Sequence, residues 1–224
     1  KKGHGMLFSP YVGQDDKASD TNIFHFYGPG LGMPDREYYI ENTEEHTRVR
    51  TAYQTHIVKI LLLAGRSEAD ANRIKDAVMR IETNFAKHSL DKVARRDPDI
   101  QYNKLSWQEL KAKAPHVDWD GYMKELGVPI QDNVLVPEPE LLTATSDFLH
   151  DTDLEDIKLY LEWELISGSS GQLSQAFIDQ NFEYYGRTLN GQKEMKPLWR
   201  RALGSLNGNL GELFGQLYVE RHFT

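Results

Sequence analysis

Eight histidines and a surplus of acids are the residues in this chain that could hold a metal or move a proton. The histidines are His4, His25, His46, His56, His88, His116, His150 and His222. None is followed by glutamate and no two stand four residues apart, so no helical face pairs them as zinc ligands. His56 borders an apolar stripe and is expected to be half buried. Asp15-Asp16-Lys17-Ala18-Ser19-Asp20 has the acids of a calcium loop. It lacks the twelve-residue ligand pattern and its closing glutamate, so a polar hairpin tip is expected. Gly28-Pro29-Gly30-Leu31-Gly32 lacks the G-x-G-x-x-G spacing of a phosphate cradle, no Walker lysine follows, and Pro29 removes an amide donor. No G-x-S-x-G is present for a serine nucleophile. Carboxylate pairs such as Glu44-Glu45 and Glu162/Glu164 fall where solvated helix faces are expected. By these residues alone no catalytic constellation and no metal site is expected within the chain.

Bulk properties narrow the class further. The 224 residues carry a net charge of −8, 39% hydrophobic and 27% charged residues. An acidic balance argues against a nucleic-acid partner, and the Arg95–Arg96 pair is flanked by Asp91, Asp97 and Asp99. There is no cysteine, which excludes disulfides and thiolate chemistry. The longest aliphatic run, Ile60 to Ala64, falls far short of the ~20 residues of a membrane span. Lys1 to Gly5 is not followed by the apolar run of a signal peptide.

The elements that must position these side chains read as mainly α: one multi-helix lobe over 1–224, with an N-terminal β-hairpin over 6–27 and helices over 34–224. Met6-Leu7-Phe8 with Tyr11-Val12, and Ile23 to Tyr27, form the hairpin arms around a polar loop at 14–20. Val49, Tyr53, Ile57, Ile60 and Leu61 recur at helical spacing, and Gly65 supplies a stop. Ser67, Ser106 and Thr152 each open a capping-box pattern. Ile74, Ala77, Val78, Ile81 and Phe85 form a second apolar stripe. Pro115 ends one helix, Asp118 caps the next, and Gly127 closes it. Residues 128–139 are extended, Pro139 suits a first helical turn, residues 168–171 interrupt the following helix, and 186–191 is a loop. Pro197 starts the last helix.

That last helix carries Gly204, Gly208, Gly211 and Gly215 on one face. Four glycines cost roughly 4 kcal/mol against alanine, so a closely approaching helix is expected on the bare side. Leu206, Leu210, Leu213 and Leu217 are expected to form a core stripe on the other. Asn207, Asn209 and Glu212 exclude a membrane span.

Four segments then carry a resemblance. Gly30-Leu31-Gly32-Met33-Pro34-Asp35-Arg36-Glu37-Tyr38-Tyr39 resembles the G-L-G-L-P-x-R-D-Y-Y signature of the neprilysin-like zinc endopeptidases. Arg96-Asp97-Pro98 with Tyr102-Asn103-Lys104-Leu105-Ser106, Trp199-Arg200-Arg201, and Leu217 to Phe223 are similar to further family stretches in the same order. The resemblance covers nearly the whole chain. It implies the N-terminal helical portion of a longer peptidase, whose H-E-x-x-H and glutamate zinc ligands lie outside this sequence. Zinc then belongs to the parent enzyme. The implied partners are the catalytic domain of the same polypeptide and short peptide substrates, with dimerisation of the isolated region as a further expectation. Ala202 stands where animal relatives carry cysteine, which implies a bacterial oligopeptidase-type member, periplasmic or secreted before cytoplasmic. The Gly28–Ile40 stretch is then a turn into the helical lobe. Within it Arg36 is expected to pair with a carboxylate, and is the one candidate for a substrate-binding residue. Tyr38 or Tyr39 is expected in the core. A stand-alone peptide- or protein-binding helical module is the alternative.

Overall fold

The computed structural model describes residues 6–223, so Lys1 to Gly5, with His4, and Thr224 lie outside the described residues. The chain is mainly helical with a small sheet. Strands β1 (Ser9–Asp15) and β2 (Ala18–Tyr27) form the expected hairpin, antiparallel from Ser9↔Tyr27 to Gln14↔Asn22. The polar loop expected at 14–20 is shorter than predicted. A bulge at Gln14/Asp15 shifts the register to Asp15↔Ala18, and only Asp16 and Lys17 turn. The hairpin is also not alone. β3 (Lys104–Ser106) and β4 (Asn133–Leu135) complete a sheet of order β1-β2-β4-β3, in which β2 and β4 run parallel.

Asp15 explains the bulge. Its carboxylate is fully buried and accepts from Lys17 N (3.0 Å), Tyr102 Oη (2.9 Å) and Lys104 Nζ (2.8 Å). The Lys104 hydrogen bond, more than any other contact, holds its pKa down to about 2. Asp15 therefore clamps the hairpin tip to Tyr102 and Lys104.

The helices are α1 (Glu37–Ile40), α2 (Glu44–Leu63), α3 (Glu68–His88), α4 (Pro98–Gln101), α5 (Trp107–Lys113), α6 (Trp119–Leu126), α7 (Pro139–Asp151), α8 (Leu154–Ser170), α9 (Gln175–Asn181) and α10 (Leu198–His222). Gly65, at φ 85°, reverses the chain between α2 and α3. The Ser106 box closes reciprocally: its Oγ accepts from Glu109 N while the Glu109 carboxylate accepts from Ser106 N. Ser67 Oγ likewise accepts from Asp70 N. The Thr152 pattern does not close, because Asp153 takes the cap position without a side-chain bond. Ser106→Ala should therefore cost about 1 kcal/mol, read as a fall in the urea midpoint; Thr152→Ala should leave it nearly unchanged.

Two apolar clusters form the interior. One joins α1, α2, α3, α8 and α9 through Tyr53, Ile57, Ile60, Ile74, Val78, Phe85, Tyr160 and Trp163. The other lies between the sheet and α5–α6 through Phe24, Phe26, Leu110, Trp119, Met123 and Val134. Helix α7 serves both, with Leu141 and Phe148 in the first and Leu142 in the second.

Four further expectations are corrected. Residues 168–171 do not interrupt the helix: α8 runs unbroken through Ser170 and ends at Gly171. Residues 186–189 are not loop: Phe182–Leu189 continues α9 as a π-helix, with the Gly186 position packed against the Phe182 ring. His56 is not half buried but 1% exposed. The leucine stripe of α10 is not core. That helix buries no residue, and Leu206, Leu210, Leu213 and Leu217 are all exposed. A Cβ added at Gly204, Gly208 or Gly215 would meet nothing within 4 Å, so no helix among the described residues covers the glycine face.

Candidate functional site

The Gly28–Ile40 turn is built around spaces that only hydrogen fills. A Cβ at Gly32 would sit 1.8 Å from the Tyr53 hydroxyl, and one at Gly28 would lie 2.8 Å from Leu141. Gly30 faces open space. Tyr53, from α2, passes beneath the turn and donates its hydroxyl to Glu82 Oε1 at 2.8 Å. Tyr39, from α1, donates to Glu82 Oε2 at 2.5 Å and accepts from Met33 N at 3.0 Å. Tyr184 Oη lies 3.5 Å from the Gly32 carbonyl. The turn is thus tied at Met33 to a carboxylate in the middle of α3.

Glu82 is 1% exposed and has no cation against it among the described residues. Burial raises its pKa to about 7, although the Tyr39, Tyr53 and Gly32 hydrogen bonds pull the other way. The same burial pushes Tyr39 and Tyr53 well above the ordinary tyrosine value, so both remain donors. Glu82 was not singled out from the sequence. A signal existed: it stands four residues after Val78 and three before Phe85, on the apolar face of α3.

His56 lies beyond Tyr53 on α2. Its ring stacks on Tyr184 at 4.9 Å, and Nδ1 sits 3.3 Å from the Gln180 amide nitrogen. Accepting that hydrogen bond puts the proton of a neutral ring on Nε2, which has no partner among the described residues. Burial lowers the pKa to about 4.

Arg36 does not meet the expected carboxylate. Its Nη1 donates to the Ser89 carbonyl at 2.6 Å, fastening the turn to the end of α3. Tyr39 is the core tyrosine and Tyr38 packs at its edge, against His46. Among the histidines the fold joins His116 and His150, whose rings stack at 4.1 Å. A separation of 34 residues gave no sign of that contact. Glu162 pairs with Arg66 at 2.5 Å, but Glu164, expected on a solvated face, is part-buried in a cleft beside the turn. Among the described residues no three His, Asp or Glu side chains converge to hold a metal ion, so no zinc chemistry is derived from them. No described helix is long and apolar enough to cross a membrane.

The turn, and the Tyr102–Lys104 stretch that Asp15 holds, fall on segments that carried the resemblance, and comparison with known proteins agrees. The model for the N-terminal part of peptidase family M13 matches residues 1–224. Mouse endothelin-converting enzyme 1 is 29% identical over 223 residues, covering 97% of this chain and 29% of that protein. Mouse neprilysin is 27% identical over 242 residues, covering 100% of this chain and 32% of that protein. The zinc metalloprotease Zmp1 of Mycobacterium tuberculosis superposes with a TM-score of 0.90 at 32% identity, over 99% of this chain and 34% of that one. PepO from Lactobacillus rhamnosis HN001 shares the fold at TM-score 0.82 and 23% identity, over 98% of this chain and 35% of that one. The chain spans about a third of the length of the relatives it matches.

Proposed function

Because this chain belongs to peptidase family M13, we propose that it is the non-catalytic N-terminal lobe of a neprilysin-like zinc metallopeptidase, and that it encloses the active-site cavity and limits substrates to short peptides. The supporting observation is α10. Helix α10, 25 residues long and kinked at Leu210, buries no side chain and displays Trp199, Leu203, Leu213, Phe214, Leu217 and Tyr218 to solvent, with two glycines on each side of the kink. Apolar area of this kind is stable in water only when something covers it. The remaining two thirds of a full-length relative supply a cover, and the glycines admit a backbone at close range. The parent's chemistry is hydrolysis of a peptide bond by zinc-bound water. The present residues contribute walls and fixed dipoles rather than a reacting group.

The test compares substrates of increasing length. The intact peptidase should cleave quenched peptides of about ten residues and leave folded proteins untouched, with chelator abolishing the activity. Residues 1–224 alone should show no cleavage with added zinc. Chelator-sensitive hydrolysis by residues 1–224, or efficient digestion of large proteins by the intact enzyme, would overturn the proposal. Freed from a covering domain, the region is expected to self-associate; a monomer in sedimentation that binds no apolar dye would count against a covered α10.

A second reading has support of its own. The α10 surface outlines an open groove of ≈ 950 Å³, a shape that suits a stand-alone module capturing a helix or peptide. A reading frame that continues into H-E-x-x-H favours the peptidase lobe; one that does not favours the module.

A further inference from the structure

We propose that the cleft between the Gly30–Gly32 turn and the Glu164 face of α8 binds one organic cation, the guanidinium or ammonium group of a basic residue in a peptide substrate. The inference rests on the peptidase reading for the source of the cation, and on the cleft itself for the chemistry.

Helix α8 carries four acids. Glu155 pairs with Lys158 at 2.8 Å, Asp156 with Arg80 at 2.6 Å and Glu162 with Arg66 at 2.5 Å. Glu164 accepts no hydrogen bond and meets no cation among the described residues, although it is part-buried in the wall of a cleft. Its surroundings add to the imbalance. The cleft walls include Met6, Tyr53, Trp163, Tyr185, Leu31 and Ser167, and no lysine or arginine among the described residues. Burial, with the negative field of Glu82 behind it, raises the Glu164 pKa to about 8. A part-buried carboxyl that burial keeps neutral, with no cation beside it among the described residues, ionises when a ligand brings a positive charge to it.

The walls narrow the choice of cation. Aromatic faces and a leucine attract a soft cation on an apolar stem and give a hydrated metal ion nothing to replace its waters. At ≈ 280 Å³ the cleft is below the usual range for a whole small-molecule ligand and fits a single side chain. Arginine and lysine side chains have that form: a methylene stem for Leu31 and Tyr185, and a charged head for Glu164. The Ser167 hydroxyl can take one further N–H from the head group.

Two measurements on the intact peptidase decide it. Peptides that differ only by arginine against its neutral isostere citrulline, scanned along the sequence, should differ by about tenfold in kcat/KM at one position. In Glu164→Gln that ratio should fall toward one. A ratio of one in the parent sequence, or a ratio that survives the substitution, would overturn the proposal. Calorimetric titration with N-acetylarginine amide should likewise give binding about tenfold tighter than the citrulline analogue, and Glu164→Gln should remove the difference. If no probe binds, a cation from elsewhere in the polypeptide already fills the cleft and the proposal fails. An enzyme that cleaves neither peptide yet prefers the arginine probe would sink the peptidase reading and leave the cation site standing.

Discussion

Gly32→Ala is expected to lower the stability of this lobe by ~3 kcal/mol or more, while Gly30→Ala two residues away should change it by less than about 0.5 kcal/mol. The two substitutions add the same methyl group to the same turn, and neither glycine has a left-handed φ. What differs is the space. At Gly32 the new Cβ would lie 1.8 Å from the Tyr53 oxygen and 2.2 Å from its ring carbon. Tyr53 is fully buried and cannot swing into solvent. Relief therefore requires the turn to lift or the tyrosine to withdraw, and withdrawal breaks its hydrogen bond to Glu82. Overpacking alone costs 1–3 kcal/mol, and a buried acceptor deprived of one donor adds about another. At Gly30 nothing lies within 4 Å, and loss of unfolded-state freedom can even favour alanine slightly. Urea denaturation of the two variants measures the contrast. Equal midpoints would mean that the turn adapts and that the G-L-G spacing is not fixed by Tyr53.

The same contrast shows how much the sequence carried. The hairpin, the long helices and the Ser67 and Ser106 caps were legible, because aromatic arms, 3.6-residue periodicity and cap chemistry are local. Strands β3 and β4 were not, since three residues hold too little pattern and their pairing partners come from far along the chain. The π-helix at 182–189 was hidden by Gly186, which reads as a breaker but packs against Phe182. In α10 the leucine spacing pointed to a core stripe, and all four leucines are exposed. Periodicity marks a face without saying what, if anything, covers it. The site was the hardest part. Tyr102 and Lys104 sit in a segment that the family resemblance had marked, yet their joint role with Asp15 appears only once the fold brings the three together. Glu82 and Glu164 looked like ordinary helix acids. Each stands within a turn of residues on the buried side of its helix, and an acid at such a position is the one sequence signal that could have singled it out.

Those two acids set the pH response. Glu82 has a folded pKa of about 7 and Glu164 of about 8, both above the ordinary carboxylate value of 4.5. For a raised carboxyl the folded state prefers the neutral form. Its contribution to stability is complete below pH 4.5 and is lost as pH rises through the folded value. His56 works in the opposite direction. Its pKa is lowered to about 4, so its neutral form is the stable one and its contribution is lost as pH falls below 6.5. Between pH 8.5 and 6.5 the two carboxyls dominate, opposed only near the lower end by protonation of His56 in the unfolded chain, and the lobe should gain on the order of 2 kcal/mol on acidification. Glu82→Gln should remove roughly 1 kcal/mol of that gain, because its amide does not titrate but still accepts from a tyrosine. Glu82→Ala should be far worse at every pH, costing ~3–5 kcal/mol, since it leaves the buried Tyr39 and Tyr53 hydroxyls without an acceptor and opens a cavity. Denaturant midpoints at the two pH values, taken for all three proteins, separate the charge from the hydrogen bonds. A midpoint that rises toward pH 8.5, or Gln and Ala variants of equal stability, would show that Glu82 is ionised and compensated in the fold by something other than the two tyrosines.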